Sequence, residues 1–242
     1  MKSKILVLII VTLGSSQASL AQKRPRPAKV QPAQTVAAPK PTLVTAREQA
    51  TIDEINQARA NPAKYIKFLE DFKKLYRGKT IHYSDGSELV TIEGVGALDD
   101  AIAFLRMQTP HPPLELRAGM VLAAKDHVND LVKTGKSGHK GSDGSYPGDR
   151  MGRYGEWSNS LGEDIVYFSR NARDDVIALI IDDGTSNRGH RKNIFQSDFH
   201  VIGIGMGPAQ STGTLCIITF AGNYKDKDAA GQKSKTPTAT KY

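Results

Sequence analysis

Arg188-Gly189-His190-Arg191-Lys192-Asn193-Ile194 leads almost directly into two apolar runs, 199–207 and 213–222. Both runs are rich in β-branched and aromatic residues, and Pro208-Ala209-Gln210-Ser211 separates them. They read as two strands joined by a hairpin-type connection. Upstream the hydrophobic period is helical. Met120, Val121, Ala124, Val128 and Leu131 form an i, i+3/i+4 stripe over 117–134, and Gly135 stops it. Leu98, Ile102 and Leu105 mark a helix over 97–108, ended by Pro110, Pro112 and Pro113. Ala172, Val176, Leu179 and Ile180 mark another over 171–183. Thr51 opens a longer pattern that Asn61-Pro62 interrupts, because proline clashes with the preceding turn; two helices meet there. Helices come first and strands cluster late. That order predicts an α+β domain, with helices packed on a mostly antiparallel sheet.

The stretches between these elements are polar. Residues 77–96 suggest a loop or small hairpin, and 136–160 read as loop. Residues 165–168 form a short strand candidate.

The flanks differ from the middle. Lys2 and Lys4, an apolar run over 5–13, and small Ser19 and Ala21 make a secretory signal pattern over 1–21, with cleavage expected after Ala21. The run is shorter than the roughly 20 residues a membrane span needs, so no transmembrane segment is expected. Residues 22–45 are rich in Pro, Ala and Lys and read as a disordered linker. Residues 226–242 read as a disordered polar tail. This leaves 46–225 as one domain.

Charge follows the same division. The net charge of +8 suggests nucleic acid at first sight. Residues 1–45, however, hold seven Lys/Arg and no acid, and 226–242 hold four Lys and two Asp. Subtraction leaves 22 basic and 23 acidic residues in 46–225, which argues against a nucleic-acid partner. Basic tails of this kind suit solvent or an anionic envelope surface. Cys216 is the only cysteine, so no disulfide staples the fold; it reads as a small buried hydrophobe.

Two of the six histidines stand in polar loops after a glycine: Gly138-His139 and Gly189-His190. Glu163 and the Asp182-Asp183 pair are acids that can join them. Two imidazoles and carboxylates can hold Zn²⁺ with water in open positions. They can also form an acid/base pair, or be satisfied loop groups. Ser137, Ser142 and Ser186 read as turn residues. His82, His111, His127 and His200 read as ordinary surface or core histidines. Arg188 and Arg191 are expected to pair with Asp182 and Asp183. Trp157 and Tyr154 pack a loop or line a cleft mouth.

The chain resembles the CAP superfamily (cysteine-rich secretory proteins, antigen 5, PR-1), in its bacterial branch. The likeness runs over about 50–224 and is carried by 55–62, by Pro113-Leu114-Glu115-Leu116 with the helix after it, and by Ser137-Gly138-His139. Gly162-Glu163-Asp164-Ile165, 180–184, 188–194 and the closing strands complete it. The resemblance implies an α-β-α sandwich with a large cleft carrying two His and two acids. It assigns His139, Glu163 and His190 to that tetrad. Asp182 takes the fourth place, one methylene shorter than the usual Glu, or Asp183 if the register shifts by one. Asp164 replaces the usual Asn. The cleft would take a lipid, glycan or peptide, or a weakly held Zn²⁺ on His139 and His190. The alternatives are a metal-assisted or His/Glu-dependent hydrolase and an envelope-associated structural protein.

Overall fold

A computed structural model describes residues 42–209 and 213–227. The signal pattern over 1–21, nearly all of the linker and most of the C-terminal tail lie outside the described residues. Helix α1 (Ala46–Ala60) starts at a reciprocal cap: the Glu48 N–H donates to Thr45 Oγ1 at 3.2 Å, and the Thr45 N–H donates to Glu48 Oε2 at 2.7 Å. Asn61 ends α1, and its side chain caps α2 (Pro62–Lys73) by accepting from the Lys64 N–H at 3.0 Å. The break therefore falls at the asparagine–proline pair.

The polar 77–96 stretch takes the hairpin of the two expected forms, with a further short strand beside it. Strands β1 (Tyr76–Arg77), β2 (Thr80–His82) and β3 (Glu88–Val90) make a small antiparallel sheet in the order β1-β2-β3. Helix α3 (Val95–Arg106), the short strand β4 (Glu115–Leu116) and helix α4 (Ala118–Thr134) follow. Gly135 closes α4 in the left-handed region, with φ 66°.

The expected loop over 136–160 is only partly one. Helix α5 (Pro147–Tyr154) forms inside it, and strand β5 runs through Gly155–Ser169 rather than 165–168. The first half of β5 is solvent-facing and polar, which hides it from hydrophobic patterning. Helices α6 (Ala172–Ile181) and α7 (Gly189–Phe195) and strands β6 (Val201–Ala209) and β7 (Gly213–Asp226) complete the domain.

The main sheet has the order β4-β6-β7-β5. Only the β4–β6 pair is parallel. Side chains alternate across it. Ile202, Ile204, Cys216, Ile218 and Phe220 join the large core with α1, α2, α3 and α6. Ile165, Leu215 and Ile217 face Ala124, Val128 and Leu131 of α4. Helices thus cover both faces of the sheet. On β6, Gly203 lets α4 lie directly on the strand: a Cβ there would stand 2.3 Å from the Met120 carbonyl carbon. Burial pushes the Cys216 thiol well above its usual range, so it serves as core. Among the described residues no helix is long and apolar enough to cross a membrane.

Candidate functional site

Strand β5 is an edge strand, and its neighbouring residues Glu163 and Asp164 point to opposite faces of the sheet. Glu163 anchors His139, and Asp164 accepts from Asn193 on the helix that begins beside His190.

On the α4/α5 face, Glu163 is 6% exposed. Its Oε1 accepts from His139 Nδ1 at 2.9 Å, and its Oε2 accepts from Arg150 Nη2 at 2.7 Å. A carboxylate only accepts, so the His139 proton sits on Nδ1 and Nε2 carries the lone pair. Arg150, buried on α5, also donates to the carbonyls of His139 at 3.1 Å and Ser145 at 3.0 Å. Gly138 holds the loop with φ 92°. Its N–H donates to the Tyr167 hydroxyl at 2.7 Å, and its carbonyl pairs with His127 Nε2 at 2.9 Å.

His127 is a core histidine that also braces the site. It is fully buried on α4, 3.8 Å from Glu163, with its Nδ1 unpartnered. Burial, only partly offset by the nearby Glu163 charge, lowers its pKa. It fixes the His139 loop as a neutral donor. The helical stripe could have flagged it, because position 127 falls beside Val128 and Ala124 on the buried face. Arg150 carried no sequence signal.

On the other face, His190 and Asp182 form the second pair. His190 Nδ1 lies 2.7 Å from Asp182 Oδ1, while Asp182 Oδ2 accepts from the backbone N–H of His190 at 2.9 Å and of Arg191 at 3.3 Å. Asp182 caps α6 in the left-handed region, φ 55°, which aspartate tolerates better than most residues. The hydrogen bond to Asp182 raises the His190 pKa against the opposing effect of burial. For Asp182 burial pushes upward, but the hydrogen bonds from His190 and from its neighbours outweigh it and the pKa falls. The pair is thus biased toward the ionised form.

Asp183 lies elsewhere: it accepts from the backbone N–H groups of Ile92 at 2.6 Å and Glu93 at 2.8 Å. The arginines depart from the expected pairing with Asp182 and Asp183. Arg188 makes a two-point contact with Glu93, at 2.6 Å through both Nη atoms, and reaches Asp100 at 3.2 Å. It touches Asp182 only through the carbonyl, at 2.7 Å. Buried Arg191 pairs with Asp100 at 2.8 Å and donates to the Ile181 carbonyl at 2.9 Å. Both tie α3 to the end of α6, far along the chain from either arginine.

Asp164, beside Glu163, is fully buried. Oδ1 accepts from Asn193 Nδ2 at 2.6 Å, and Oδ2 has no partner. Burial pushes its pKa up to about 8, against the pull of nearby His190. That shift favours the protonated, uncharged form at neutral pH, which suits a place where the resemblance expects asparagine.

The structure thus organises the four candidate residues as two pairs, His139–Glu163 and His190–Asp182, on either side of one edge strand. Among the described residues no three His, Cys, Asp or Glu side chains gather as a metal centre. The donors left for a metal are the two imidazole Nε2 atoms, each oriented by a carboxylate on Nδ1. His190 and Asp182 also line a groove of about 790 Å³ between β2–β3 and the second half of β5. His139 does not line that groove.

None of the curated proteins compared matches the chain. Two solved structures similar to it are an extracellular SCP-domain protein of Bacillus anthracis and an outer surface protein of Borrelia burgdorferi. The first is 20% identical with a TM-score of 0.37, and the match covers 50% of this chain and 37% of that one. The second is 16% identical with a TM-score of 0.39, and the match covers 62% of this chain and 100% of that one. A family match spans residues 52–224, which hold both histidine pairs and all of the four-stranded sheet but the last two residues of β7. The chain belongs to the CAP, or cysteine-rich secretory protein, family.

Proposed function

We propose that this CAP protein is a secreted binding protein whose groove takes an elongated, lipid-like ligand with a polar head at His190. One observation carries the reading. Leu89, Val90, Ile92 and Phe168 are large hydrophobic side chains left exposed, and all four line the same groove. Apolar side chains scattered singly are ordinary, whereas a contiguous set marks a binding surface. Tyr83 and Arg170 add a stacked pair to the wall, with the guanidinium 3.8 Å from the ring centre. The Asp182-raised basicity of His190 supplies a cation for an acidic head group.

The signal pattern over 1–21 supports secretion. A hydrolytic reading is less well supported, because among the described residues no serine or threonine hydroxyl bonds either imidazole. Zn²⁺ on the two Nε2 atoms stays a second proposal. His190 holds its proton more readily than a free histidine, so uptake would be weak at neutral pH and would strengthen as pH rises.

The test is a fluorescence titration with cis-parinaric acid. Saturable binding is expected, weakened about tenfold by His190→Ala and lost in the Val90→Asp/Phe168→Asp double variant. Both substitutions of the double variant fall at exposed positions, so the fold is expected to survive. Unsaturable uptake, or equal affinity in all three proteins, would rule the groove out.

A further inference from the structure

A second hollow, of about 590 Å³, lies where the start of β5, the end of β7 and strand β4 meet. It is lined by none of the tetrad residues. We infer that this hollow binds a short neutral oligosaccharide, with a sugar ring stacked on Trp157.

Trp157 is 38% exposed and lines the hollow. Its orientation is fixed from behind. The indole N–H donates to the Gly148 carbonyl at 3.1 Å, and Gly148 has no side chain to displace the ring: a Cβ there would stand 3.1 Å from Cζ2. A held, half-exposed indole is a platform that loses little conformational freedom when a ligand covers it.

The charges around the platform select against ions. Arg117 and Lys225 are offset by Glu115 and Glu156, all four lining the hollow. An anion would meet two carboxylates and a cation would meet two basic groups. The apolar alternative is also poor, because none of the exposed aliphatic side chains lines this hollow, and Leu89, Val90 and Ile92 lie in the other groove. What remains is an uncharged molecule with many hydroxyl groups, able both to donate and to accept. Arg117 donates through Nη2 to Glu115 at 2.7 Å, and with its side chain 37% exposed its guanidinium still presents N–H groups to a ligand oxygen in the hollow. His200 spends Nδ1 on the Gly222 carbonyl at 2.9 Å, which leaves Nε2 as an acceptor for a hydroxyl. A pyranose offers a C–H face for the indole and hydroxyls for both of these groups. The volume falls within the roughly 300–1,000 Å³ typical of small-molecule sites.

Trp157 is the only tryptophan in the chain, so its emission reports on this hollow alone. The test titrates the full chain with maltotetraose, cellotetraose and chitotetraose. At least one is expected to change the emission saturably. Arg117→Ala and His200→Ala should each weaken that binding about tenfold while leaving the melting temperature unchanged. Calorimetry on Trp157→Ala should show the heat of binding lost. No response to any of the three sugars up to about 10 mM would overturn the inference. So would a response to sulfated or phosphorylated glycans alone, or undiminished affinity in both the Arg117 and His200 variants.

Discussion

Glu163→Ala lowers the stability of the domain by about 3–5 kcal/mol and releases His139. The magnitude follows from what the substitution leaves behind. Arg150 is 2% exposed and its Nη2 would lose its only carboxylate. A buried charge stripped of its partner costs far more than the intact pair contributes. Glu163 also orients His139 and stands 3.8 Å from buried His127, so one deletion disturbs three groups. Glu163→Gln keeps an acceptor for Arg150 and should cost roughly half as much. Urea unfolding of the three proteins measures the difference. An alanine variant within about 1 kcal/mol of the natural chain would show that the network is not formed.

The second large effect concerns Asp164 and depends on pH. In the unfolded chain its carboxyl ionises near its ordinary value of 3.8, but burial in the fold pushes it up to about 8. Below pH 4 both states are protonated and the aspartic acid costs nothing. Between about pH 4 and 8 the unfolded chain gives up its proton while the folded protein keeps it, so stability falls as pH rises. Asp164→Asn removes that loss and retains a group able to face Asn193. The variant should match the natural protein near pH 4 and exceed it by at least about 2 kcal/mol near pH 9. Equal stability at both values would mean that Asp164 is ionised when folded.

The order of helices and strands was legible because its signals are local. Asn61-Pro62 can only break a helix, Gly135 can only end one cheaply, and the nearly continuous apolar runs of β6 and β7 suit strands buried on both faces. The choice of His139, Glu163, His190 and Asp182 followed from family motifs, which did not say which acid meets which histidine. The residues alone left a metal site, an acid/base pair and idle loop groups all open.

What sequence did not show depends on partners distant in the chain. The first half of β5 is polar and exposed, so only pairing with β7 reveals it as strand. Arg188 and Arg191 have two acids close by in sequence, yet their side chains pair with Glu93 and Asp100, about ninety positions away. The exposed apolar wall of the groove joins 89–92 to residue 168, and no periodicity links those positions. Asp164 looked like a departure from the family pattern; its burial makes it an uncharged equivalent of the expected residue.

Two imidazoles turned outward by carboxylates on their Nδ1 atoms underlie the whole site. Long-range ¹H–¹⁵N spectra of the six histidines near pH 9, assigned with His139→Gln and His190→Gln, read the ring protons directly. Protonated Nδ1 and bare Nε2 in both His139 and His190 are the predicted result. A proton on Nε2 with Nδ1 bare in either ring would contradict it, since that imidazole could then neither donate to its carboxylate nor offer a lone pair to the solvent side.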